Sequence, residues 1–181
     1  MKRFFSMLLF VFAASLSLSP INLSYEIEWC RQRNISWEDF WGKPDSSSRY
    51  SAISATYIQE KHKCDYRNRF TFSVRSVFLK TQSWSTDKKS AKLLHHEQLH
   101  FDLTEVYARK LRKVFSELDN PCQMSKTQVK SIIDNLYDEM EKAHNLYDHE
   151  TVHGLRTNRQ EFWTKIIGEA LIELDSFACT D

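Results

Sequence analysis

Residues 87–118 read as one helical run with no glycine or proline, and His96-Glu97-Gln98-Leu99-His100 lies inside it. On a helix, residues four apart sit on the same face. At about 100° per residue, His96 and His100 point within roughly 40° of each other. Two imidazoles need this spacing to hold one metal ion. Glu97 projects beside them, close enough to reach a water without joining the ligand set. In zinc hydrolases the H-E-x-x-H arrangement supplies two ligands and a general base. Leu93, His96, His100, Leu103 and Tyr107 form one stripe at helical spacing, so the metal face is continuous with the core face.

An open zinc site takes three protein ligands and keeps one position for water. Glu105 lies roughly 160° around the helix from the histidine pair, which makes it a salt-bridging or supporting residue. The segment after His100 reads FDLTEV, without the glycine and histidine that would extend the motif. The third ligand is therefore expected from elsewhere. The stretch DHETVHG offers Asp148, His149, Glu150 and His153. We assign the third position to His153, because Gly154 after it permits a tight backbone turn beside a metal; the other three remain as alternatives. Glu97 is then the general base, and Tyr147, next to this stretch, is the candidate oxyanion donor. Asp102 reads as a surface acid, His95 as a helix-surface residue, and His62 and His144 as solvated. The five tryptophans read as core.

Three segments resemble a known family. LLHHEQLHFDLTEVYARKLRK, NISWEDFWGKPD followed by SAISATY, and YDHETVHG followed by a helix with Gln160 and Trp163 are similar, in that order, to the bacterial predicted secreted zinc-dependent proteases, domain of unknown function 922. The resemblance runs from about Ile35 to the C-terminus. It implies a zincin-like hydrolase with zinc as cofactor, and it places His153 on the histidine of the family's T-x-H-G pattern.

Residues from about 24 to 84 look β-rich. ISATYIQ and FTFSVRSVFL alternate apolar and polar residues around the polar stretch KHKCDYRNR, which predicts an antiparallel hairpin or meander. ISWEDFW adds a short helical turn. The first helix stops at Asp119-Asn120-Pro121. A second starts at Ser125 with an S-x-x-Q capping box to Gln128 and continues to about Leu146. A loop, 147–156, precedes a third helix opened by Thr157 with a T-x-x-Q box to Gln160. The expected class is α+β: a small antiparallel sheet followed by three helices, zincin-like, with the metal site on the first long helix. In such folds the strand beside the zinc helix often receives extended substrate by β-addition.

Lys2 and Arg3 precede the apolar run FFSMLLFVFAASLSLS. This has the form of a Sec-type signal peptide spanning residues 1–17, cleaved after Ser17, so that the mature chain starts at Leu18. Residues 18–181 are then a single zincin-like metallopeptidase domain, secreted or periplasmic, with no stable membrane span after cleavage. Cys30, Cys64, Cys122 and Cys179 show no C-x-x-C spacing. In an exported chain this favours two disulfides, expected as Cys30–Cys64 and Cys122–Cys179. The formal charge of +1 gives no reason to expect a nucleic-acid partner. The leading expectation is a zinc metallopeptidase acting on a peptide or protein substrate. The alternative is a non-catalytic metal-binding or cell-envelope interaction protein that retains the fold.

Overall fold

The computed structural model describes residues 24–29 and 34–179. The signal-like segment 1–17, its cleavage point and Cys30 lie outside the described residues. β1 (Glu26–Glu28), β3 (Thr56–Cys64) and β4 (Phe70–Leu79) form an antiparallel sheet in the order β1-β4-β3. The alternating pattern sets the β3–β4 register, from Thr56 opposite Phe78 to Cys64 opposite Phe70. The β3–β4 turn is local side-chain chemistry. The Asp65 carboxylate accepts from the Arg67 and Arg69 backbone N–H groups, and Asn68 takes φ 56°, a conformation asparagine tolerates. A separate two-stranded ladder pairs β2 (Ala52–Ile53) with β5 (Trp84–Ser85).

Among the described residues are three α-helices: α1 (Ala91–Glu117), α2 (Lys126–Thr151) and α3 (Thr157–Glu173). Ser90 caps α1 by accepting from Leu93 N–H. Ser125 and Gln128 form the expected capping box of α2. Two expectations are corrected. The second helix does not stop near Leu146 but runs to Thr151, which puts Tyr147 and Asp148 on a helix rather than in a loop. The T-x-x-Q box at Thr157 does not form; Arg156 is the N-cap without a side-chain bond, and Gln160 is turned inward and buried.

α1 lies across the sheet and between the other helices. Its Leu99, Leu103, Leu111 and Phe115 share one apolar cluster with Ile58 and Val74 of the sheet, Ile133 and Met140 of α2, and Trp163 and Ile167 of α3. A second cluster around Phe40, Phe78 and Phe101 holds the N-terminal segment. Glu105 is fully buried on the side of α1 away from the histidines. It accepts from Arg109 Nε at 3.0 Å and Arg112 Nη1 at 2.8 Å, and Arg112 also donates to the Val74 and Phe177 carbonyls. The buried charge is thus paired and tied to β4 and to the C-terminal turn. None of the described helices is long and apolar enough to cross a membrane.

The disulfide expectation is corrected as well. Cys64 bonds to Cys122, not to Cys30, because the end of β3 meets the 3-10 turn Pro121–Gln123 that follows α1. Cys179 is a free thiol that donates to the Trp29 carbonyl at 3.3 Å. The Cys64–Cys122 bond closes a loop of 58 residues in sequence. Replacing both cysteines by serine is expected to lower the unfolding free energy by about 2–4 kcal/mol in a denaturant titration. Peptide mapping should recover the 64–122 linked pair; recovery of Cys64 linked to Cys30 instead would contradict the fold described here.

Candidate metal centre

α1 presents His96 and His100 one turn apart, and α2 presents His144 and Asp148 one turn apart on the facing side. Asp148 Oδ1 lies 3.1 Å from His96 Nε2 and 3.0 Å from His100 Nε2. The ligand atoms of His96, His100 and Asp148 all fall within 4.8 Å of one another, a group that could hold a metal ion. Two imidazole nitrogens and one carboxylate oxygen suit zinc among the common divalent ions. Burial alone would raise the Asp148 carboxyl; hydrogen bonds and charge from His100 and His96 outweigh it and hold the group well below the usual carboxylate range. Burial opposes a charged His100, but the Asp148 hydrogen bond and the charges of Glu97 and Asp148 prevail and raise its pKa. The donors are therefore already arranged around a partial ion pair.

A closed ring of hydrogen bonds orients His96. Its Nδ1–H donates to Gln160 Oε1 (3.2 Å), Gln160 Nε2 donates to the Tyr147 hydroxyl (2.7 Å), and that hydroxyl donates to the His96 carbonyl (3.2 Å). With Nδ1 held by Gln160, Nε2 is the nitrogen that faces Asp148 and is available to a metal once its proton is lost. Tyr147 also stacks on the His96 ring, centroids 4.7 Å apart. The oxyanion role expected of Tyr147 finds no geometric support. Its side chain is fully buried, its hydroxyl is engaged on both sides, and it is not among the residues lining the cleft. It braces a histidine instead.

A cleft of about 490 Å³ opens over these donors. It is lined by the run 49–54, which includes β2, by the start of α1 and by the turn 152–155. Glu97 reaches the cleft from α1 although only 3% exposed. Ser54 Oγ donates to Glu97 Oε2 at 2.6 Å, which fixes one carboxylate oxygen and leaves Oε1 for other partners.

The third ligand expected from the sequence, His153, stays outside the group of three. Its Nδ1 approaches Asp148 Oδ1 at 3.3 Å, and its exposed ring packs against Tyr50 at the rim. The cause is the backbone. Val152, His153 and Gly154 all take positive φ, 50°, 51° and 80°, and swing the chain off the helix axis just after Thr151. A β-branched residue in this region carries strain of about 1–2 kcal/mol, here placed at the cleft rim. Of the alternatives in DHETVHG, His149 is exposed and Glu150 is held by Arg159 and Trp163 Nε1; Asp148 alone turns to the histidine pair. Elsewhere, His95 is exposed and bonded to Thr164, and His62 is exposed against Phe115. Asp102 binds Trp29 Nε1 and Gln98 Nε2 rather than a histidine. His144, expected to be solvated, is instead stacked on His100. The i,i+4 spacing of His144 and Asp148 becomes a signal once the second helix is carried to Thr151.

Residues 47–154 match the family described as bacterial protein of unknown function (DUF922). The match covers more than half of the chain, and the chain belongs to this family. It includes Ser54, Glu97, both α1 histidines and Asp148, and ends at Gly154, before Gln160. No curated protein and no solved structure matches the chain.

Gly154 gives a direct test of the geometry. A Cβ there would sit 3.0 Å from His96 Cβ and Cγ, and φ is +80°. Gly154→Ala is expected to cost about 1–3 kcal/mol of unfolding free energy. Gly168→Ala, in α3 with nothing within 4 Å of the added Cβ, is expected to stabilise by about 0.5–1 kcal/mol. Equal effects of the two substitutions in thermal or denaturant unfolding would contradict the placement of Gly154 against His96.

Proposed function

We propose that this protein is a zinc-dependent metallopeptidase of zincin type, acting outside the cytoplasm. The observation that carries the reading is the convergence of His96 Nε2, His100 Nε2 and Asp148 Oδ1 beneath a cleft, with the Glu97 carboxylate beside them. The Cys64–Cys122 disulfide and the signal-like N-terminus support an oxidising compartment.

In this reading His96, His100 and Asp148 hold the ion. Bound there, zinc supplies Lewis acidity, polarising a scissile carbonyl and lowering the pKa of a water beside it. The rest falls to the chain. Glu97, with Oε2 tied to Ser54, takes the proton of the attacking water at Oε1. It then delivers that proton to the amine nitrogen as the C–N bond breaks. The run 49–54 lines the cleft, and its strand β2 gives a peptide an edge to lie along. Tyr50 accepts from Arg49 Nη2 at 3.0 Å, so its own O–H is free to donate toward the cleft. With His153 it forms a rim of donors for a carbonyl oxygen that gains charge.

The test is a set of variants measured first for metal and then for hydrolysis. Wild-type protein is expected to carry about one zinc per chain by elemental analysis. Asp148→Ala should lose more than about a hundredfold in zinc affinity, whereas His153→Ala should keep most of it. Glu97→Gln should bind zinc within about threefold of wild type yet lose about 10²–10⁴ in turnover on a peptide library. Zinc absent from the wild type under zinc-replete conditions contradicts the reading. Equal cleavage by wild type and Glu97→Gln contradicts the role of Glu97.

A further inference from the structure

His144 lies outside the donor group, yet it is the closest polar partner of one donor. His100 Nδ1 and His144 Nδ1 are 2.9 Å apart, and the rings stack with centroids 5.2 Å apart and planes 21° from parallel. Two nitrogens at this distance share one proton: one ring donates, the other accepts. Which ring donates decides whether His100 can offer Nε2 to a metal. If His100 were the acceptor, its own proton would sit on Nε2 and block that lone pair.

The surrounding hydroxyls settle the direction. Thr104 Oγ1 donates to the His100 carbonyl at 3.0 Å. Its single proton is then used, so toward every other neighbour it is an acceptor. His144 Nε2 lies 3.3 Å from that oxygen, and Thr56 Oγ1 lies 2.8 Å from it. Both must donate to it. A neutral His144 therefore carries its one proton on Nε2 and presents the bare lone pair of Nδ1 to His100. His100 must then be protonated on Nδ1, so that Nε2, which donates to Asp148 at 3.0 Å, is the nitrogen that gives up its proton when the ring ligates. The hydrogen bonds thus converge on Thr104 Oγ1, from Thr56 of β3 on one side and from His100 through His144 on the other.

We propose that His144 is a positioning residue: a neutral imidazole that accepts from His100 Nδ1–H and thereby locks His100 in the tautomer that ligates through Nε2. This rests on the zinc reading for its consequence but not for its geometry. Ligand histidines are usually held by a carboxylate, a carbonyl or water; here one is held by glutamine and the other by a second histidine. A neutral acceptor leaves less negative charge around the ion than a carboxylate at the same place.

The experiment compares wild type, His144→Leu and His144→Asn. Asparagine places an acceptor oxygen near the Nδ1 position; leucine fills the space without one. Circular dichroism establishes folding, and His144→Ala takes the place of the leucine variant if that one is unfolded. Long-range ¹⁵N–¹H spectra at about pH 9, well above the ordinary histidine pKa, report the His100 tautomer. Competition with a chromogenic chelator reports Zn²⁺ affinity. The expected result is the Nδ1–H tautomer in wild type and His144→Asn, and a shift to Nε2–H in the leucine variant. Zinc affinity should fall about 10–100-fold in the leucine variant and recover to within about threefold of wild type in the asparagine variant. An unchanged tautomer in the leucine variant, or an asparagine variant as impaired as leucine, overturns the proposal. If wild type binds no zinc but the tautomer responds as stated, the positioning role stands and the zinc reading fails.

Discussion

The structure turns on the packing of α1 against α2, which sets one i,i+4 pair against another. His96 and His100 from one helix meet Asp148 and His144 from the other. A single carboxylate oxygen, Asp148 Oδ1, lies within 3.1 Å of both imidazole Nε2 atoms. Charge and hydrogen bonding from the two histidines there outweigh the burial that acts to raise the acid's pKa. Most of a helix's stability in a folded protein comes from packing its apolar face. Here the apolar stripes of α1 and α2 run into the polar cluster, so the same packing that folds the domain assembles the site.

The elements around that contact each remove one freedom from it. Gln160 of α3, through Tyr147, fixes the His96 ring. Thr56 of β3, through Thr104 and His144, fixes the His100 ring. Ser54, just beyond β2, fixes one oxygen of Glu97. Gly154, with no side chain, lets the turn after α2 close directly on His96. The far side of α1 is anchored by the paired charges of Glu105, Arg109 and Arg112. Rotation of α1 about its axis would therefore break buried ion pairs as well as displace the histidines. Rigid support of this kind is what a site needs if its reacting groups are to be held to within fractions of an ångström.

Much of this was legible in the sequence, and the reasons are local. His96, Glu97 and His100 declared themselves by spacing on one helix, and β3, β4 and the Ser125 box by alternation and capping chemistry. What was not legible depended on where a helix ends and which segments meet. The second helix was expected to stop near Leu146, because Tyr147 to Gly154 is polar and ends in glycine. The true C-terminus uses Val152 at positive φ, which no sequence rule favours for a β-branched residue. Ending the helix early hid the His144–Asp148 face and moved attention to His153. Gln160 looked like a capping residue because the spacing T-x-x-Q is the same whether the glutamine turns back to the N-cap or inward to a histidine. The disulfide was mispaired for a related reason: the contact of Cys64 with Cys122 depends on the approach of a strand end to an inter-helix turn, and neither spacing nor composition encodes it.

The central claim is that His96, His100 and Asp148 form one metal site. Anomalous diffraction at the zinc edge from crystals of the zinc-loaded protein tests it most directly. The account predicts one strong peak about 2.0–2.2 Å from His96 Nε2, His100 Nε2 and an Asp148 carboxylate oxygen. His153 should lie outside the coordination sphere and His144 should remain on His100 Nδ1. A zinc-loaded crystal with no peak between the two α1 histidines, or with His153 in the place of Asp148, would contradict it.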